Sequence, residues 1–189
     1  MTEVNSSASP RTTADGRLEV LFSPAEIAAR LEELAAEIAR QNLEPLLVVA
    51  VLKGSFVFAA DLIRALNRAG IEPEVDFITL SSYRKNRVSQ GSVDILRDVE
   101  MDVAGRNVLL IDDVLDSGRT LAFAKDLLSA RGARSIRTCV LLAKRTPRAV
   151  NVDADFRAFE CPAMFVVGYG MDVAHRFREL PFVGRLIDT

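Results

Sequence analysis

Between Val108 and Leu128 the chain passes abruptly from one kind of residue to another. Val108-Leu-Leu-Ile111 is a short apolar run, the pattern of a strand buried on both faces. It breaks into three acids, Asp112, Asp113 and Asp116, followed by a small polar turn, Ser117-Gly118-Arg119-Thr120. Leu121 to Leu128 then reads as a helix. A helix N-terminus carries unpaired N–H groups and partial positive charge, so this turn is suited to a phosphate. Gly118 allows close backbone approach, while Ser117 and Thr120 add hydroxyl donors. Carboxylates placed just before it suit sugar hydroxyls or Mg²⁺.

The flanking sequence sets this unit among others of the same build. Ser23-Pro-Ala-Glu26 is a helix start with a capping box, and Ile27, Leu31, Leu34 and Ile38 follow on one face. Leu46–Leu52 is a buried strand, Phe56–Ala69 a helix ended by Gly70, and Val75–Leu80 the next strand. The polar, basic stretch from Ser81 to Gly91 has no apolar period and reads as a mobile loop, with a short strand over Ser92–Leu96 returning from it. Asn107–Ile111, Arg134–Ala143 and Ala163–Gly168 supply further strands. Alternating helices and continuously apolar strands predict an α/β fold, a mainly parallel central sheet flanked by helices. Ligands of such sheets sit beyond the carboxyl ends of the strands. Lys53, Ser82, Asp112, Lys144 and Gly168 all follow expected strands, so one crevice should collect them. Residues 1–17, rich in Ser, Thr, Ala and Asp, read as a disordered tail or a loosely packed arm, leaving 18–189 as a single domain with a lid over 81–92.

Bulk properties narrow the class. At 189 residues, 49% hydrophobic and 26% charged, the chain can bury an enzyme-sized core. A net charge of −2 offers no argument for a general nucleic-acid or membrane surface. Cys139 and Cys161 match no metal spacing and read as free thiols. Without a signal peptide or spanning segment, a cytoplasmic protein is expected. The acids at the end of the strand have no companion G-x-x-x-x-G-K-[ST], which removes a P-loop nucleotidase.

The segment Val108–Thr120 resembles the phosphoribosyl-pyrophosphate-binding motif of the type I phosphoribosyltransferases. Within that family the chain is most similar to the branch that uses hypoxanthine and guanine. Three further segments carry the resemblance in the expected order: Leu52-Lys53-Gly54-Ser55, Lys144-Arg-Thr-Pro-Arg148, and Phe165-Val-Val-Gly-Tyr-Gly-Met-Asp172. The likeness runs from about Leu46 to the C-terminus. It departs at Ser117 and Arg119, where many relatives have Thr and Lys, and at Ser55, where a second Gly is common. Ser keeps the hydroxyl and Arg keeps the charge.

The resemblance implies a role for each position. Asp112 and Asp113 would bind the ribose hydroxyls, directly or through Mg²⁺, and Ser117, Gly118, Arg119 and Thr120 would cradle the 5′-phosphate. Asp116 would manage the purine N7 proton as a general acid–base, which favours a 6-oxopurine. Lys144 would donate to the purine O6, a choice that disfavours adenine. Phe165 would stack on the ring and Val166 would offer backbone groups to its edge. Asp172 would hold a second Mg²⁺ on pyrophosphate beside the base site. Lys53, Gly54 and Arg178 would bind pyrophosphate, with a non-proline cis peptide before Lys53. Ser82 and Tyr83 would belong to a lid that excludes water from an oxocarbenium-like transition state. A small hood formed by the terminal segments and a homodimeric or homotetrameric state are also implied. His175, the lone histidine, reads as a surface residue. Two rivals remain at this point: a nucleic-acid-binding regulator that keeps the fold, and an enzyme preferring xanthine with guanine.

Overall fold

The computed structural model describes residues 11–12, 17–82 and 93–187. Its elements are β1 (Arg11–Thr12), β2 (Leu18–Phe22), α1 (Pro24–Ala39), β3 (Leu46–Leu52), α2 (Phe56–Arg68), β4 (Glu74–Ser82), β5 (Val93–Arg97), β6 (Asn107–Leu115), α3 (Arg119–Ala130), β7 (Ser135–Lys144), β8 (Phe156–Cys161) and β9 (Val183–Leu186).

Local sequence accounts for the helix ends. Ser23 caps α1, its side chain accepting from the Glu26 N–H while Glu26 reaches back to the Ser23 N–H, and Pro24 occupies the first turn. Ile27, Leu31, Leu34 and Ile38 are all buried. The third helix begins at Gly118, whose φ of 81° lies in the left-handed region, so α3 starts two residues before the apolar period does.

In the described residues six strands form the main sheet in the order β5-β4-β3-β6-β7-β8. Neighbours from β4 to β8 run parallel, and β5 returns antiparallel at the edge. Helices α1 and α2 cover one face and α3 covers the other. Alternate residues of β3 serve the two faces: Val48 and Ala50 join the α1–α2 cluster, while Leu47, Val49 and Val51 join the α3 cluster. Both faces are dry, which is why β3 is apolar at every position. A second, small sheet, β1-β2-β9, is assembled from the two ends of the chain and forms the hood.

Three sequence expectations are corrected. Ala163–Gly168 is not a strand; only Val167 and Gly168 make isolated bridges, and the sheet's last strand is instead β8, at Phe156–Cys161. Its mixed sequence, FRAFEC, hid it, because an edge strand needs one apolar face only. The segment from Ser81 is not loop at its start, since β4 continues through Ser82 to pair with β5. The stretch read as an arm contributes β1, and Tyr83 with the rest of 83–92 lies outside the described residues.

Strand order reverses between β3 and β6. From β3 the chain moves to β4 through α2 on one face; from β6 it moves to β7 through α3 on the other. This is the switch point at which open parallel sheets leave a crevice beyond their carboxyl ends. Because β6 occupies the middle of the sheet, Leu110→Ala, at a fully buried position, is expected to cost about 2–5 kcal/mol of unfolding free energy, read from urea titration.

Candidate active site

The crevice at the switch point has a volume of about 430 Å³. Lys53 and Gly54 reach it from the end of β3, Asp112 to Thr120 from β6 and the start of α3, and Lys144 from β7. Phe165, Val166 and Asp172 come from the segment after β8. Of the positions expected at strand ends, Gly168 does not line the crevice. It lies behind, where a methyl group would meet the Phe182 carbonyl oxygen at 2.1 Å.

Asp112 is buried, and its carboxyl is pushed well above the ordinary carboxylate range by that burial and by the neighbouring charge of Asp113. Its Oδ1 accepts from the Asp113 N–H at 2.9 Å, and Asp113 Oδ1 accepts from the Val114 N–H at 2.9 Å. The turn after β3 closes over the pair: a methyl group on Gly54 would lie 1.8 Å from Asp113 Oδ2. Glycine is the residue that allows these two loops to touch. The Leu52–Lys53 peptide is cis.

The Ser117–Thr120 turn is braced from outside by the segment linking β7 and β8. Ala149 and Val150 N–H groups donate to the Ser117 carbonyl at 3.1 and 3.2 Å. A methyl group on Gly118 would meet Val152 at 2.7 Å, and Arg148 holds the segment through the Val152 carbonyl at 2.8 Å. These bracing residues escaped the sequence reading, although Arg148 stood within a recognised motif. On the inner side, Lys144 Nζ lies 2.9 Å from Asp116 Oδ2, and Thr146 Oγ1 donates to Asp116 Oδ1 at 3.4 Å. Lys144 is largely buried, so the pair presents one cationic donor and one carboxylate side by side on the wall. Phe165, over half exposed, lines the same crevice.

Asp172 accepts from the His175 N–H at 2.8 Å and ion-pairs Arg178 at 2.8 Å. Arg178 does not line this crevice. It lines a second cavity behind the Gly168–Asp172 turn and donates to the Gly170 carbonyl at 2.7 Å. His175 is exposed. Met171, missed in the sequence, adds an apolar wall. Both cysteines are free and buried, and no described helix is long and apolar enough to cross a membrane.

The model of the phosphoribosyl transferase domain matches residues 20–174. The chain belongs to the phosphoribosyltransferase family. The hypoxanthine phosphoribosyltransferase of Escherichia coli (strain K12) is 41% identical over 173 residues, which cover 90% of this chain and 96% of that protein. The hypoxanthine-guanine phosphoribosyltransferase of Bacillus subtilis (strain 168) is 42% identical over 169 residues, covering 89% and 92%. A ternary substrate complex of the Trypanosoma cruzi hypoxanthine phosphoribosyltransferase superposes with a TM-score of 0.83 at 35% identity, covering 89% of this chain and 94% of that one. A second Trypanosoma cruzi structure, which concerns the role of the C-terminal region in oligomeric state and activity, has a TM-score of 0.86 at 35% identity, covering 94% and 95%. The α/β fold with its parallel sheet is the fold of this phosphoribosyltransferase family, and the chain is an enzyme of that family.

The buried acid gives a pH dependence. The folded-state pKa of Asp112 lies above its ordinary 3.8, so its contribution to stability is complete below that value and is lost as pH rises through the folded pKa. Asp112→Asn keeps the shape and removes the charge. In metal-free buffer it is expected to raise the thermal midpoint at neutral pH, with the gain shrinking toward pH ~4. Scanning calorimetry across that range checks it.

Proposed function

We propose that the protein transfers the 5-phosphoribosyl group from phosphoribosyl pyrophosphate to N9 of hypoxanthine or guanine, giving IMP or GMP and pyrophosphate. The observation that carries this reading is the Lys144–Asp116 pair, 2.9 Å apart in a crevice that Phe165 also lines. A 6-oxopurine stacked on Phe165 meets a cationic donor for O6 and a carboxylate for N7, with the Val166 backbone at its edge. Adenine would present an amino group to Lys144 and leave one donor facing another.

The remaining residues take the roles that their motifs imply, a reading supported by the crevice that most of them line. The N–H groups of the Ser117–Thr120 turn, at the start of α3, with the Ser117 and Thr120 hydroxyls and the Arg119 charge, hold the 5′-phosphate. Asp112 and Asp113 fix the ribose hydroxyls. Lys53 and the Gly54 backbone take the pyrophosphate from one side and Asp172 approaches from the other, with Arg178 acting from behind through Asp172 and Gly170. Ser82, at the end of β4, and Tyr83 belong to the lid. Positioning and a preset charge pattern supply most of the rate.

Mg²⁺ fits this donor set. Asp112 and Asp113 put two carboxylates together at the cost of a buried charge, which a divalent cation would relieve, and Asp172, a third carboxylate on the crevice, would hold a second Mg²⁺ on the pyrophosphate. Among the described residues no three acidic, Cys or His ligands cluster, so substrate oxygens and water would complete the shell, as is usual for Mg²⁺. When bound, the ion would neutralise charge on the leaving pyrophosphate.

The reaction belongs to purine salvage in the cytoplasm, where two buried free thiols persist without pairing. The active form is a homodimer or homotetramer, a reading supported by the relative in which oligomeric state and activity were studied together. Asp116→Asn tests the reading: steady-state turnover of hypoxanthine should fall by about 10²–10⁴-fold, the usual range for a lost general acid–base. Undiminished turnover would remove Asp116 from the chemistry.

A further inference from the structure

Three consecutive residues, Gly168, Tyr169 and Gly170, have positive φ: 93°, 50° and 99°. Glycine adopts this region freely, whereas a tyrosine resists it and must be held there by its surroundings. The turn has no slack on either side. A methyl group on Gly168 would meet the Phe182 carbonyl oxygen at 2.1 Å, and one on Gly170 would meet the Gly54 carbonyl oxygen at 2.3 Å. The tip of the turn is therefore pressed against the Lys53–Gly54 loop, which in turn touches Asp113.

Tyr169 is buried, and its Oη donates to Asp61 Oδ2 at 2.5 Å. The other Asp61 oxygen pairs with Arg64. Burial first, then the Asp61 hydrogen bond, push the phenol upward, so it stays a donor. Asp61 lies on α2, the helix that begins at Phe56, immediately after the Lys53–Gly54 loop. One end of the bond is thus fixed to the helix that carries that loop, and the other to the turn that leans on it. Beyond the turn, Met171 and Asp172 face the crevice. The purine end is anchored separately: Val167, next to Val166, exchanges two backbone hydrogen bonds with Gly184 of β9, at 2.8 and 2.9 Å.

We propose that Asp61 and Tyr169 are positioning residues for the pyrophosphate end of the crevice: their hydrogen bond seats the Gly168–Asp172 turn against Lys53 and Gly54. Neither side chain lines the crevice. The assignment rests on the phosphoribosyl-transfer reading, and it predicts a split between the two substrates. Loosening the bond should weaken the hold on phosphoribosyl pyrophosphate and pyrophosphate and leave the purine unaffected.

Tyr169→Phe removes the hydroxyl alone. In steady-state kinetics the KM for phosphoribosyl pyrophosphate should rise about tenfold while the KM for hypoxanthine stays within about twofold, the scale set by one buried hydrogen bond to a charged acceptor. Asp61→Ala should behave alike, and the double variant should be no worse than the poorer single one, because both remove the same bond. Asp61→Asn retains an acceptor and should recover part of the loss. A general rise in both KM values together with a lowered thermal midpoint would overturn the proposal, since that is how a purely structural contact behaves. So would a folded Tyr169→Phe protein with an unchanged KM for phosphoribosyl pyrophosphate. Calorimetric titration of wild type and Tyr169→Phe with pyrophosphate and Mg²⁺ reads the same affinity without turnover. A wild type that binds pyrophosphate but turns over no purine would defeat the functional reading while the calorimetric comparison still decides the tether.

Discussion

Two carboxylates lie side by side where β6 parts from β3 but still pairs with β7, and one of them, Asp112, is inside the protein. A buried acid next to a second acid is costly for a folded chain to keep. Much of the surrounding architecture can be read from how that pair is accommodated. The pair sits at the switch point, where α2 and α3 leave on opposite faces and no helix covers the strand ends. Gly54 has no side chain because Asp113 occupies the space where one would be. Gly170 has none because the Gly54 carbonyl stands there. The chain of close contacts from Asp113 through Gly54 to Gly170 fixes the spacing between β6, the loop after β3 and the Gly168–Asp172 turn.

The two ends of the crevice are supported by different parts of the fold. The phosphate turn is braced by the β7–β8 segment through the Ser117 carbonyl and Val152. The base side is tied to the hood through Val167 and Gly184. The hood brings together β2 and β9, which are far apart in sequence, so the crevice wall at Val166 depends on the pairing of distant segments. A crevice built from independently supported walls can adjust the binding of one substrate without disturbing the other.

Much of this was legible in the residues. The apolar runs at Leu46–Leu52 and Val108–Ile111 could only be strands covered on both faces, and the capping box at Ser23–Glu26 marked α1. The crevice residues lay in motifs that the order of strands brings together, and Asp112, Asp116, Lys144 and Phe165 all line it. Less legible was what depends on contacts distant in sequence. Phe156–Cys161 carries no continuous apolar run because it is the edge of the sheet, while in Ala163–Gly168 only Val166 to Gly168 are buried and Val167 makes a single bridge to Gly184, with Ala163 and Phe165 exposed. Arg178 reads as a crevice residue from its motif, yet it lines a second cavity and donates to the Gly170 carbonyl. The Asp61–Tyr169 bond joins residues 108 positions apart, which no local pattern announces.

The central claim is that this crevice attaches a phosphoribosyl group to a 6-oxopurine. The most direct test offers phosphoribosyl pyrophosphate and Mg²⁺ with hypoxanthine, guanine, xanthine or adenine in separate reactions and follows nucleoside monophosphate formation by chromatography. The account predicts product from hypoxanthine or guanine and none from adenine, with the ratio of rates naming the preferred base. A folded protein that binds phosphoribosyl pyrophosphate but converts none of the four, or that uses adenine as readily as hypoxanthine, would contradict it.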